Sequence, residues 1–295
     1  MFLLCYLVYK IITSSTLDSM TNLELVNPNL IGLVIILMIF NWGLETKKWQ
    51  MLLGSVQYLS FIDSFKSVLA GLSSGLLTPN RIGNFIGRLA YVKKENHNQA
   101  IVNTLVGNLA QFTSTLLMGS VGFLVLISYK LQIQNSFWIL LFSVLFSSVG
   151  CYIYFRPSVL NFRPLNKLFS DKTKLSIQEI NDSYSNVKIK ILGLSLLRYI
   201  VFCVQYFLVF KLFGIQISIV VLFSLIATVF LITTLIPSLF FGKLFVRESV
   251  AVFIFSLVDI NLSLILVVVF LLWLINLAVP AVVGSIFWLK QKHYA

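Results

Sequence analysis

The sequence predicts an all-α, polytopic integral membrane protein made of two inverted-topology units, each holding a helix pair broken by proline and glycine. Three observations carry this expectation: a composition too apolar for a soluble globule, five runs long enough to span a bilayer, and two interrupted apolar regions that match each other. Of 295 residues, 58% are hydrophobic and 11% charged, with a mean hydropathy of +0.94. An average soluble domain carries ~25% charged residues, and one of ~300 residues buries only about three-quarters of its unfolded surface. So much apolar surface needs lipid as its solvent. The same figures exclude disorder, collagen and a disulfide scaffold.

Lysine and arginine total 22 against 10 acids, a net charge of +12. In a soluble chain that excess points to nucleic acid. Here the basic residues sit mostly between apolar runs, the positive-inside pattern, so no nucleic-acid partner is expected. Cys5, Cys151 and Cys203 stand singly in apolar runs, which gives neither disulfide nor zinc spacing. His97 and His293 lie near lysines and read as solvated.

A spanning helix needs ~20 predominantly apolar residues. Asn29–Leu53, Ala100–Ser128, Ser136–Tyr154, Ile189–Phe213 and Leu262–Leu289 meet that length. Met1–Thr13 is short, without a basic leader or a small-residue cleavage site, and reads as the end of a first helix rather than a signal peptide. Phe61–Val92 and Gln216–Val258 are apolar but interrupted. The first contains Gly71, Gly75, Pro79, Gly83 and Gly87 with Arg81 and Arg88; the second contains Pro237, Gly242, Lys243, Arg247 and Glu248. Proline removes a backbone donor and glycine loosens a helix. At membrane depth such breaks persist only where backbone is buried in protein or lines a wet cavity. Each region therefore reads as a helix, a break and a second helix.

The breaks correspond to each other. Pro79 and Pro237 are 158 positions apart, while Gly83 and Gly242, like Arg88 and Arg247, are 159 apart. Residues 1–295 thus read as a single transmembrane domain, with helical units over 1–154 and 191–295 and a basic connection over 155–190. That connection carries seven basic residues against three acids. Placing it and the C-terminus in the cytoplasm, with each broken pair returning to its own side, puts fourteen basic residues inside. Only Lys10, Lys130 and Lys211 stay outside. Asn29–Leu53 then runs inward and Ile189–Phe213 outward, an inverted repeat of the kind secondary transporters use for alternating access.

The stretch Thr78-Pro79-Asn80-Arg81-Ile82-Gly83-Asn84-Phe85-Ile86-Gly87-Arg88 carries the most chemistry. A helix that starts after a break presents unpaired N–H groups and the positive end of its dipole. Arg81 and Arg88 add forked donors suited to phosphate, and Arg247 repeats the theme in the second half. An arginine at the bilayer centre costs ~2.5–3.5 kcal/mol on insertion scales, so these residues should face an interior, partly wet cavity. The competing expectation is that they snorkel to the interface or pair structurally. Glu45 and Glu248 read equally as structural ion-pair partners or cavity residues. Asn84, Asn103, Gln111 and Arg198 are further polar candidates for the cavity or for links between helices. No catalytic residues are assigned. Histidine pairs for a metal, a Walker motif, an aspartate cluster and a Gly-x-Ser-x-Gly nucleophile elbow are not expected, and no metal or cofactor is implied.

At these residues the sequence resembles the lysylphosphatidylglycerol synthase transmembrane-region family, a flippase-like domain. The resemblance runs through Asn41-Trp42-Gly43-Leu44-Glu45 with Lys48-Trp49, and Ala70-Gly71-Leu72. It continues through Thr78–Gly83 to Gly87-Arg88, and Gly107-Asn108-Leu109-Ala110-Gln111, with looser matches at Pro237-Ser238 and Arg247-Glu248. The family usually places an acid after the first glycine of the proline–arginine–glycine motif, where this chain has Asn84. If that acid balances Arg81 or senses a cationic headgroup, substrate preference differs here. The resemblance implies a protein of the bacterial inner membrane that translocates an anionic or aminoacylated phospholipid, with a separate lipid-modifying enzyme as a candidate partner. The chain ends at Ala295 soon after its last helix, so the family's aminoacyl transfer is not carried over. The alternative is a membrane enzyme, or an enzyme's partner, acting on phospholipids or polyprenyl-phosphate sugars.

Overall fold

The computed structural model describes residues 23–78, 82–130, 137–156, 185–236, 240–258 and 260–291. Met1–Thr13, Pro79, Arg81, Pro237 and most of the basic connection lie outside them. Among the described residues every regular element is helical. In chain order these are α1 (Leu30–Leu53), α2 (Phe61–Leu76), α3 (Gly83–Leu89), α4 (His97–Lys130), α5 (Phe137–Phe155), α6 (Ser185–Leu212), α7 (Ile219–Leu235), α8 (Phe240–Phe255), α9 (Leu262–Trp273) and α10 (Val279–Lys290). A π-helical turn, Leu274–Ala278, joins α9 to α10. Pro280 thus sits in a nearly continuous helix, and the wider turn ahead of it relieves the clash a proline ring makes with the preceding turn.

Among the described residues five helices are long and apolar enough to cross a membrane: α1, α4, α5, α6 and the continuous α9–α10. They coincide with the five expected runs to within a few residues. One boundary moves. Ser185–Lys190, placed in the connection by its charge, forms the first turns of α6, and Lys188 is buried there. The short helices fall in the two interrupted regions, α2 and α3 in the first and α7 and α8 in the second. Gly83 opens α3, whereas Gly87 and Gly242 lie inside α3 and α8.

The chain forms two compact units that do not follow sequence order. One, the apolar unit, takes the described part of Met1–Ile39 with Met118–Val144 and Ile200–Val279; the other, the hairpin unit, takes Phe40–Leu117, Leu145–Tyr199 and the described part of Pro280–Ala295. Each therefore draws on both halves of the sequence.

In the apolar unit α7, α8 and α9 pack with the second half of α6 around Leu225, Ile226, Val229, Val252, Val268 and Val269. Phe210 stacks on Phe255 at 5.4 Å. The small residues Gly119 and Gly122 of α4 let α7 approach; a Cβ on Gly119 would lie 2.7 Å from Leu231 Cβ.

In the hairpin unit α2 and α3 are laced together by hydroxyls. Ser74 Oγ donates to Gly83 O at 2.6 Å, Ser67 Oγ donates to Arg88 O at 3.2 Å, and Thr78 Oγ1 accepts from Gly83 N at 2.6 Å. The last bond satisfies a backbone donor that would otherwise be orphaned at a helix start. Backbone comes this close because Gly83 and Gly87 lack side chains; a Cβ on either would run into the carbonyls of Ser74 or Ala70. Gly71 and Gly75 face Asn84 from α2. Small residues four apart on both helices make the close crossing familiar in membranes. Helix α10 seats on this hairpin: Ser73 Oγ donates to Ala281 O, Tyr91 Oη to Phe287 O at 3.2 Å, and Gln291 Nε2 to Ala90 O at 3.2 Å.

Candidate functional site

The hairpin unit gathers charge inside. Helix α1 turns from an apolar stretch to Asn41, Glu45 and Lys48, spaced four and three apart and therefore on one face. Helix α3 brings Arg88, and α6 brings Arg198. All four charged side chains are withdrawn from solvent: Glu45 is 6% exposed, Lys48 1%, Arg88 5% and Arg198 8%.

Glu45 is the hub. Its Oε1 accepts from Arg88 Nη2 at 2.8 Å, and its Oε2 accepts from Lys48 Nζ at 3.1 Å and from Arg198 Nη1. Neutral acceptors complete the shell. Arg198 Nε donates to Asn41 Oδ1 at 2.7 Å, Arg198 Nη1 to Gln111 Oε1 at 3.3 Å, Arg88 Nε to Asn84 Oδ1 at 3.1 Å, and Lys48 Nζ to Gly107 O at 3.3 Å. Two indoles line the cluster, with Trp49 5.0 Å from the Arg88 guanidinium carbon and Trp42 5.6 Å from that of Arg198.

The charges do not balance. Three cations meet one carboxylate among the described residues, leaving two positive charges at the cluster. A buried ion carries a desolvation cost of several kcal/mol after relaxation, so the surplus is expensive unless an anion joins it. The hydrogen-bond inventory has the same sign. Both Glu45 oxygens and the Asn41, Asn84 and Gln111 carbonyls are engaged, while the buried Asn41 Nδ2 and Trp49 Nε1 have no hydrogen-bond partner among the described residues. Arg88 Nη1 and Arg198 Nη2 make no hydrogen bond among the described residues. The cluster lacks acceptors and has donors to spare.

The structure sorts the residues singled out in the sequence. Glu45, Asn84, Arg88, Gln111 and Arg198 come together here. Asn103 instead donates to Leu52 O at 2.8 Å and ties α4 to α1. Arg247 and Glu248 belong to the apolar unit, where Arg247 lies 5.5 Å from the Phe230 ring and makes no ion pair among the described residues. Arg81, Pro79 and Pro237 lie outside the described residues, and of Lys243 only the backbone is described. Gly87 is not a break but a contact point on Ala70 and Ser74.

Two readings change. Lys48, one of the fourteen basic residues counted on the cytoplasmic side, is a member of the buried cluster; the signal was its three-residue spacing from Glu45 on a face that also carries Asn41. A Gly-x-Ser-x-Gly pattern does occur, at Gly71-Leu72-Ser73-Ser74-Gly75, against the expectation of none. It lies within α2, and both serine hydroxyls donate to backbone carbonyls, whereas a nucleophile elbow needs a strand-to-helix turn.

The family model for the lysylphosphatidylglycerol synthase TM region matches residues 2–284, nearly the whole chain. The matched region is the membrane part, not the aminoacyltransferase part. Neither a curated protein nor a solved structure matches the chain significantly. With five membrane-length helices among its described residues and that model matching it almost end to end, the chain belongs to the lysylphosphatidylglycerol synthase TM-region family, a membrane family related to lipid handling.

Proposed function

We propose that the protein is a lipid flippase, or transporter, that holds the phosphate of an anionic or aminoacylated phospholipid at the Arg88–Arg198 cluster. One observation carries the reading: a buried cluster with two surplus positive charges and several unspent donors, among them Asn41 Nδ2 and Trp49 Nε1. A phosphate supplies both the charge and the acceptors, and arginine forks suit its geometry. In a family related to lipid handling the accessible phosphate is that of the bilayer itself.

Arg81 and Arg247 extend the reading as further phosphate contacts. The paired breaks at Pro79 and Pro237 support an inverted repeat, in which each half alternately opens the site. The basic 155–190 segment supports a bacterial inner-membrane orientation with that segment and the C-terminus in the cytoplasm.

Thermal melting in detergent tests the binding step. Phosphatidylglycerol should raise the midpoint of the wild type more than phosphatidylcholine does, because a ligand that binds only the folded state stabilises it. Arg198→Gln should lose that difference. Equal shifts with both lipids contradict the reading, and a new lipid species on incubation would move it to an enzyme acting on phospholipids or polyprenyl-phosphate sugars.

A further inference from the structure

The apolar unit holds a second ionisable group that the anion site does not use. Glu248 lies on α8 and is 7% exposed. Its Oε2 is buried without a partner, and the side chain makes no hydrogen bond or ion pair among the described residues. The residues that follow it on α8, Val250, Ala251 and Val252, belong to the buried core of the apolar unit, which also holds Tyr206 of α6 and Leu264, Ile265 and Val268 of α9.

The ionisable neighbours are few. On α8 itself Arg247 adjoins it and acts on it electrostatically, although the two make no ion pair among the described residues and the Arg247 guanidinium lies 5.5 Å from the Phe230 ring. From α6, Tyr206 lies within electrostatic reach of Glu248. Its hydroxyl is likewise buried without a hydrogen-bond partner among the described residues. Helices α7 and α9 contribute no titratable side chain.

We propose that Glu248 is a proton-binding site in the membrane core, carried as the neutral acid in this conformation and ionised when water reaches it. A buried carboxylate without a hydrogen-bond partner is costly, and the group avoids that cost by taking up a proton. The exchange is a simple one: the carboxyl O–H bond breaks, the proton passes to water, and the carboxylate keeps the electron pair. Intramembrane acids of this kind form the proton relays of pumps and transporters. The site stands apart from the lipid reading, although coupling proton movement to lipid movement would rest on that reading.

Dicyclohexylcarbodiimide, an apolar reagent for protonated carboxyl groups, provides the test in phosphatidylethanolamine–phosphatidylglycerol vesicles containing the full chain. Peptide mass spectrometry should find Glu248 modified and Glu45, whose oxygens are engaged by three cations, unmodified. The yield at Glu248 should fall at least tenfold as pH is raised, and Glu248→Gln should show no modification at that peptide. Absence of modification, or a yield indifferent to pH, overturns the proposal. The wild-type reading suffices by itself should the variant fold poorly. A pH-dependent modification without lipid exchange would sink the flippase reading and leave the proton site standing.

Discussion

At the scale of single residues the account turns on an imbalance, and Asn84 is the position that sets it. Its carbonyl serves Arg88 Nε as a hydrogen-bond acceptor but brings no charge. The acid that the family usually carries there would offset part of the surplus. Asn84→Asp is therefore expected to keep the fold and weaken phosphatidylglycerol binding at least tenfold. A neighbouring unit charge at ~4 Å is worth ~4 kcal/mol at an effective dielectric of 20, and every ~1.4 kcal/mol is tenfold in affinity. Lipid titration of the melting midpoint reads this directly. Glu45→Ala takes away the one carboxylate facing three buried cations, and breaking a buried pair costs ~3–5 kcal/mol. Its melting midpoint should drop sharply, and phosphatidylglycerol should restore part of the loss by replacing the missing anion. Glu45, Arg88 and Arg198 were all legible as candidates because charges in apolar runs are conspicuous. That Glu45 binds both arginines was not, since the partners lie 43 and 153 residues away. Pairing at that distance is a property of helix packing, which no local spacing reports.

At the scale of elements, the helices themselves were legible and their contacts were not. Five spans follow from hydropathy alone, because a bilayer imposes a minimum apolar length. The interrupted region 61–92 holds the two helices α2 and α3, and its glycines were taken chiefly as loosening agents. In the fold Gly83 and Gly87 instead bring two backbones together, and the hydroxyls of Ser67, Ser74 and Thr78 use that proximity. A substitution series separates the two roles. Gly83→Ala and Gly87→Ala force a methyl against the carbonyls of Ser74 and Ala70, and overpacking costs ~1–3 kcal/mol. Gly193→Ala in α6 meets nothing within 4 Å and should leave stability unchanged or raise it by ~0.5–1 kcal/mol through helix propensity. Melting midpoints should fall for the first two variants and hold for the third. If all three behave alike, the glycines serve flexibility and not close packing.

At the scale of the whole molecule, the sequence order suggested a first half, a basic connection and a second half. The compact units each draw on both halves, an arrangement that hydropathy along one chain cannot reveal. Orientation remains a sequence argument, and it is checkable by single cysteines placed at Arg163 and Gln291 in a cysteine-free background. Both should be labelled by an impermeant maleimide in inside-out vesicles and protected in right-side-out ones; opposite behaviour at the two positions would refute the topology. The most direct test of the central claim is leaflet exchange of fluorescent lipids in vesicles containing the purified protein, with wild type beside Asn84→Asp. The wild type should accelerate exchange of phosphatidylglycerol or its aminoacylated form well above that of phosphatidylcholine, and Asn84→Asp should slow phosphatidylglycerol exchange about tenfold, in step with its weaker binding. Exchange no faster than in protein-free vesicles for either lipid, or equal acceleration of all lipids by both proteins, would contradict a flippase built on a buried positive surplus.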